Sequence, residues 1–197
     1  MNEVLKTIAS RYSCRDFTGE PLTGDQIRAV ATAAIAAPSA MNRQPWHVIL
    51  ITDKAIVDEL DKEGMSILAA GEDKSGYERM MSRGGKLLYN APCMALILSD
   101  GSDWAPVDCG IMCQTIALAA QSIDLSSCIV GMARLPIEGP RKEEFRRRLR
   151  FPDGYELCIA VLIGEPNSGK EPHEINHSKV TFIAPAPPPS MWPDARG

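Results

Sequence analysis

An α+β fold, built on one mixed sheet of about four strands with more helix than strand, is predicted by three features of the sequence. Four apolar runs have strand length and are rich in β-branched or large aliphatic residues: 46–52 (WHVILIT), 93–99 (CMALILS), 128–132 (CIVGM) and 157–163 (LCIAVLI). The stretches between them carry helical signals and outnumber them. No internal repeat or linker-like stretch divides the 197 residues, and a 45% hydrophobic content is enough to bury one sizeable core. Residues 1–183 are therefore expected to form one domain, and 184–197 an extended proline-rich arm.

Glu3 to Ser10 reads as a short amphipathic helix. Thr23-Gly24-Asp25-Gln26 matches a capping box, in which Thr23 caps the helix and Gln26 reaches back. The alanine-rich helix that follows, Ile27 to Ala37, is apolar on most sides and is expected to be buried. Pro38 stops it. Trp46 to Thr52 is the first strand, and Lys54 to Glu63 a polar surface helix. Residues 66–90 read as irregular and then helical, and Gly71, Gly76, Gly84 and Gly85 predict a mobile segment. Cys93 to Ser99 is the second strand, followed by a turn at Gly101-Ser102-Asp103. Val107 to Leu125 is a long helix without a wet face, so it is expected to be central or to lie in a subunit interface. Cys128 to Met132 is the third strand. Glu143 to Arg150 is a polar helix with Pro140 near its start. Leu157 to Ile163 is the fourth strand, ending at Gly164. The tail holds Met191 and Trp192 as large apolar anchors, and its prolines forbid a helix.

The net charge of −4 speaks against nucleic acid as a partner, since that usually needs a basic face. The one dense basic run, Arg141 to Arg150, is interrupted by Glu143 and Glu144 and reads as a solvated helix face. No stretch approaches the roughly 18 apolar residues that span a bilayer, so no membrane partner is expected. Residues 1–6 are mixed in charge and lack a signal-peptide core, so a cytoplasmic address is expected. The six cysteines then read as reduced thiols that pack in the core.

Two clusters carry candidate chemistry. Arg11-Tyr12-Ser13-Cys14-Arg15 offers two guanidiniums and a hydroxyl within five residues. At the end of the first helix or in the turn after it, an i, i+4 spacing would put both arginines on one side. Two planar forks can then hold one phosphate, with Ser13 as a further donor; an ordinary solvated pair is the alternative. The second cluster runs from Pro38 to Trp46. Its Asn42 and Gln44 each carry a donor and an acceptor, which suits the carbonyl and imide edge of an isoalloxazine. A generic helix-to-strand connection is the alternative there. A phosphorylated heterocyclic cofactor would need both clusters.

Other motifs compete. His173-Glu174-Ile175-Asn176-His177 fits H-E-x-x-H, the signature of a zinc hydrolase. That chemistry needs both histidines on one helical face, yet Pro172 and Gly169 stand beside them. Cys109 and Cys113 have a helical i, i+4 spacing, but no second pair with ligand spacing accompanies them, and packing is the expected role. No strand is followed by G-x-G-x-x-G, and there is no P-loop.

Taken together, R-x-S-x-R-x-F at 11–17 and P-S-x-x-N-x-Q-P-W at 38–46 resemble the opening of the FMN-dependent nitroreductase family. The likeness continues in order through residue 183. Asn90-Ala91-Pro92 leads into the second strand as the family's alanine-proline step does. Asp108 to Ala120, followed by Asp124 to Gly131, is similar to the family's long helix and the G-L-G-S-C segment after it. Leu162 to Pro166 is similar to its closing I-G-Y-P. Asp124 replaces the usual glycine there, so that turn needs a left-handed residue or a changed shape. Glu165 replaces the usual tyrosine.

The resemblance implies a mainly antiparallel sheet of four to five strands packed by helices, in an intertwined homodimer with FMN at the subunit interface. It implies that Arg11, Ser13 and Arg15 hold the FMN phosphate and ribityl chain. Pro38, Ser39, Ala40 and Asn42 would contact the flavin from the partner subunit, and Gln44 would approach the ring edge. Gly131 and Met132 would lie near the flavin as the third strand ends. Lys170, with His173 second, would be the basic phosphate ligand that follows the closing glycine. Lys86 and the segment Leu135 to Gly139 also correspond to positions beside the flavin in some members. The implied activity passes hydride from NADH or NADPH through the flavin to a small-molecule acceptor such as a nitroaromatic or a quinone. The flavin performs the redox step, so no catalytic acid, base or nucleophile is expected. Dehalogenation, flavin breakdown and flavin binding without turnover are the alternatives on the same fold.

Overall fold

A computed structural model describes residues 2–183; the expected arm at 184–197, with Met191 and Trp192, lies outside the described residues. The elements run α1 (Glu3–Ser10), α2 (Gly24–Ile35), β1 (Trp46–Ile51), α3 (Lys54–Ala70), α4 (Ser75–Met81), β2 (Cys93–Ser99), α5 (Ala105–Ser122), β3 (Ser126–Val130), α6 (Arg134–Ile137), α7 (Lys142–Arg148) and β4 (Glu156–Gly164). The class is α+β, as the sequence predicts. The strands lie in the order β1-β2-β4-β3, and every neighbouring pair is antiparallel.

Side-chain alternation along the two central strands divides the core into two layers. Met94, Leu96 and Leu98 of β2 face one way, with Ala160 and Leu162 of β4, and meet Phe17, Leu60, Leu88 and Phe145. Cys93, Ala95 and Ile97 face the other way, with Val161 and Ile163, and meet Val30, Met112 and Ile116. Both faces of β2 are thus buried, which is why its sequence is a continuous apolar run and not an alternation.

Helix α2 carries the predicted capping box, with Thr23 Oγ1 accepting from Gln26 N and Gln26 Oε1 accepting from Thr23 N. The expectation that it is buried fails for the single chain. Only Val30 and Ala34 are buried within it, and Ile35 is 66% exposed, because α5 covers one face alone. Helix α5 buries Cys109, Met112, Cys113 and Ile116 against the sheet, while Val107 and Ile111 on its other side stay exposed. Burial pushes the Cys113 thiol up to about 12, and Cys109 is also raised by burial, so both are packing thiols.

Helix α3 runs seven residues past the expected Glu63, to Ala70. Gly64 lies inside it because a Cβ there would stand 2.2 Å from Leu87 Cδ2. The basic run of α7 is tied down: Arg141 and Arg148 both pair with Glu59 of α3, and Arg146 pairs with Glu156 of β4. Hydrogen bonds from Arg141, then Arg148, hold the Glu59 carboxyl below the usual carboxylate range. Among the described residues no helix is long and apolar enough to cross a membrane.

Gly164 ends β4 where Pro92 and Phe17 close over it. A Cβ there would lie 2.6 Å from Pro92 Cδ and 3.0 Å from Phe17 Cδ1, and neither ring has room to give. Gly164→Ala should therefore lower stability by about 1–3 kcal/mol in urea unfolding. Asp61 gives a pH-dependent test. Its carboxylate is buried and accepts from Leu88 N at 2.6 Å, and burial pushes its pKa up. The unfolded chain ionises Asp61 near pH ~4, whereas the folded chain holds the proton to higher pH. Folded protein then binds more protons in that window, so stability falls as pH rises from the unfolded to the folded pKa. Asp61→Asn keeps an acceptor for Leu88 and should lose this slope. Its stability relative to wild type should rise between pH ~4 and neutrality, in urea titrations at several pH values.

Candidate functional site

Helix α1 ends at Ser10, and Arg11 takes extended backbone angles, φ −64° and ψ 133°. The next residues lie along the edge of β3 through a parallel bridge between Ser13 and Ser127, with Cys14 N donating to Ser127 O at 2.9 Å. The helical i, i+4 reading of Arg11 and Arg15 is therefore corrected. The backbone is extended, so a two-residue period aligns Arg11, Ser13 and Arg15, and Cys14 turns into the core at 1% exposure. Burial raises the Cys14 and Cys128 thiols, which keeps both protonated behind the arginines.

Arg11, Ser13 and Arg15 line a cleft of about 240 Å³, and its other wall contains Lys170, Glu171 and His173. The structure thus brings together all five residues assigned to the phosphate. Arg11 Nε is buried without a hydrogen-bond partner among the described residues. A buried guanidinium N–H left unpaired is costly, and an anion in the cleft removes that cost. The donor set and the orphaned N–H both fit a phosphate monoester.

The second wall is held by residues the sequence did not single out. Asp16 accepts from Asn167 Nδ2 and Ser168 Oγ at 3.2 and 3.3 Å, and its carbonyl accepts from Asn167 N at 3.0 Å. Tyr12 donates its hydroxyl to Ser168 O at 3.3 Å. No local pattern announces Asp16, because its partners lie about 150 residues away in sequence.

Arg15 also borders an adjoining cavity of about 290 Å³ lined by Arg83, Lys86, Asn90 and Asn167. Lys86 Nζ donates to Asn90 Oδ1 at 2.6 Å, and Asn90 Nδ2 donates to Phe17 O at 3.0 Å. This cavity therefore continues the phosphate cleft, with cations and amides on its wall.

The Pro38 to Trp46 loop has a separate, tightly specified shape. Met41, Asn42 and Gln44 all have positive φ, at 53°, 55° and 49°. Ser39 Oγ accepts from Gln44 N at 2.9 Å, Asn42 Oδ1 accepts from Gln44 Nε2 at 3.0 Å, and Asp108 Oδ1 of α5 accepts from Ala40 N at 3.1 Å. Met41 is left 85% exposed at the tip.

This loop and the phosphate cleft leave opposite corners of the sheet. The loop enters β1 at Trp46, which pairs with Ser99 and, through it, with Glu156. The cleft borders Ser127, which pairs with Ile163 and, through it, with Cys93 at the other end. Three strand spacings and six residues of β2 separate the corners, roughly 25 Å along the diagonal. One chain therefore does not bring Pro38, Ser39, Ala40, Asn42 and Gln44 to its own Arg11 cleft. Gly131 and Met132 stand apart as well. They follow the far end of β3 and line a more apolar cavity of about 560 Å³ with Ile67, Arg134 and Leu135. Asp124 has φ 61°, the left-handed conformation its position required.

The H-E-x-x-H segment lacks the helix a zinc hydrolase needs. Residues 173–176 are irregular and only His177–Lys179 form a 3-10 turn, so the two histidines share no helical face. Among the described residues no three of His, Cys, Asp and Glu are grouped to hold a metal ion.

Comparison with known proteins places the chain among relatives of the same fold. A sequence model of the Nitroreductase family matches residues 8–165. The crystal structure of a nitroreductase with bound FMN from Desulfitobacterium hafniense superposes with a TM-score of 0.89 at 48% identity, covering 93% of this chain and 100% of that one. A putative NADH dehydrogenase/NAD(P)H nitroreductase from Archaeoglobus fulgidus is 27% identical over 180 residues, 88% of this chain and 91% of that protein. An NAD(P)H-dependent FMN reductase from Bacillus subtilis is 27% identical over 195 residues, 91% of this chain and 74% of that protein. On the match to the family model and the 48% identity across almost the whole chain, this protein belongs to the nitroreductase family.

Proposed function

We propose that this protein is an FMN-dependent oxidoreductase that takes electrons from NADH or NADPH and delivers them to a small-molecule acceptor of the nitroaromatic or quinone type. The observation that carries the reading is the cleft of Arg11, Ser13, Arg15, Lys170 and His173, with a buried and unpaired Arg11 Nε at its wall. The FMN bound in the Desulfitobacterium hafniense structure and the flavin activity named for the Bacillus subtilis relative support it. When bound, FMN supplies the redox chemistry by accepting and releasing hydride. The chain's own residues bind and orient it. Arg11 and Arg15 grip the phosphate in a planar fork, Ser13 adds a donor, and Asp16 keeps the Lys170 wall in place. Arg15, Arg83 and Lys86 put positive charge along the adjoining cavity, which favours electron-rich groups there.

The working unit in this reading is a homodimer with FMN at the subunit interface, where Pro38, Ser39, Ala40, Asn42 and Gln44 of one subunit meet the phosphate cleft of the other. The separation of the two motifs within one chain supports it. So does the apolar surface left open: Val4, Leu5 and Ile8 of α1 and Val107 of α5 are each about half exposed or more, and Val4 shares a groove of about 390 Å³ with Ala33 and Leu118. Residues 1–183 act as the single flavin-binding domain in this reading. The enzyme works in the cytoplasm, where free thiols such as Cys109 and Cys113 persist.

Purified protein should carry a yellow flavin absorption or take it up from added FMN, and should oxidise NADH or NADPH steadily only when a nitroaromatic or quinone is supplied. Binding without turnover across an acceptor panel would point to a storage role, and failure to bind FMN would sink the proposal. Arg11→Ala should weaken FMN at least about tenfold, since it deletes a charge-assisted contact to the phosphate. The same variant should leave riboflavin, which has no phosphate, almost unaffected in fluorescence titrations.

A further inference from the structure

We propose that Asp108 is the positioning residue of the flavin site: it clamps the Pro38–Gln44 loop in its ligand-facing shape through Ala40 N–H. This rests on the reading that the loop contacts flavin. Asp108 lies in the first turn of α5 and is 3% exposed. Its neighbours on the inward face are Cys109 and Met112, so packing alone would favour an apolar side chain there. Its Oδ1 accepts from Ala40 N at 3.1 Å, and its Oδ2 is buried without a partner among the described residues. Among the described residues no salt bridge engages it. A buried carboxylate whose one hydrogen bond goes to a loop N–H is costly for the fold by itself. Its return is the loop. Met41, Asn42 and Gln44 are all left-handed, a shape that a short connection does not hold unaided. Within the loop, Gln44 N to Ser39 Oγ and Gln44 Nε2 to Asn42 Oδ1 fix the turn on itself. Asp108 is the hydrogen bond that fixes the turn to the rigid helix.

The experiment titrates apo protein with FMN and with riboflavin, following flavin fluorescence, in Asp108→Ala, Asp108→Asn and Ala40→Pro. Ala40→Pro deletes the N–H from the loop side, and Ser39, extended at φ −137° and ψ 157°, tolerates a following proline. Asp108→Ala and Ala40→Pro should each weaken both flavins at least about tenfold, the scale of one lost charge-assisted hydrogen bond. The FMN-to-riboflavin ratio should stay at the wild-type value, because neither variant alters Arg11, Ser13, Arg15, Lys170 or His173, the residues that line the phosphate cleft. Asp108→Asn keeps an acceptor for Ala40 N–H and should bind nearly as wild type. The double variant should be no weaker than either single one, since both delete the same bond. A folded Asp108→Ala or Ala40→Pro protein with wild-type affinity overturns the inference, as does an Asp108→Asn protein as weak as Asp108→Ala. If Asp108→Ala does not fold, Ala40→Pro and Asp108→Asn decide by the same criteria. Wild-type protein that takes up neither flavin sinks the flavin reading itself, a result distinct from all of these.

Discussion

Cys14 donates its backbone N–H to Ser127 O at 2.9 Å, and that bond fastens residues 11–15 along the edge of β3. Much of the site depends on it. It covers a strand edge that would otherwise present unpaired backbone groups. It imposes a two-residue period on the segment, so Cys14 goes inward while Arg11, Ser13 and Arg15 line the cleft. It also brings Asp16 against Asn167 and Ser168, which carries Lys170 and His173 to the same opening. A helical continuation of α1 through Arg15 would have broken all three relations.

The four strands were legible because their environment leaves a mark on composition. β2 is buried on both faces and so reads as one apolar run, and β4 is nearly the same. The capping box of α2 was legible because both of its hydrogen bonds are local. Failures came where a distant contact overrode local preference. Helix α3 continues through Gly64 to Ala70, and the glycine makes room for Leu87. Helix α6, four residues long with Pro136 inside, has no periodicity to detect. Residues 11–15 were read under the wrong backbone, since only the neighbouring strand makes them extended. Asp16 and Asp108 left no local trace, because what each holds is remote in sequence.

Strain is concentrated where the loop must present itself. Three left-handed non-glycine residues between Pro38 and Trp46 cost on the order of 1–3 kcal/mol each when unsupported. Glycine would remove that cost, but it would also remove the Asn42 and Gln44 side chains and widen the unfolded ensemble. The chain keeps these side chains and supports the backbone with Ser39, Asn42 and Asp108 instead. Rigidity of this kind lowers the entropy lost when a ligand is gripped.

The positions of the two motifs make cofactor affinity and assembly one problem in the proposed dimer. A ligand that touches Arg11 of one subunit and Asn42 of the other binds the assembled state better than the separated one. By linkage it must then stabilise assembly by the same factor that assembly raises its affinity. The apolar faces of α1 and α5 would contribute association that does not depend on flavin, whereas the Arg11 cleft and the Ala40 loop contribute association that does. The balance between them decides whether apo protein stays dimeric with open sites or falls apart. If burial of the large aliphatic side chains exposed on α1 and α5 supplies the larger part, that part acts without flavin. Flavin loss would then open the site and leave the dimer together, so the cofactor can exchange without dismantling the enzyme.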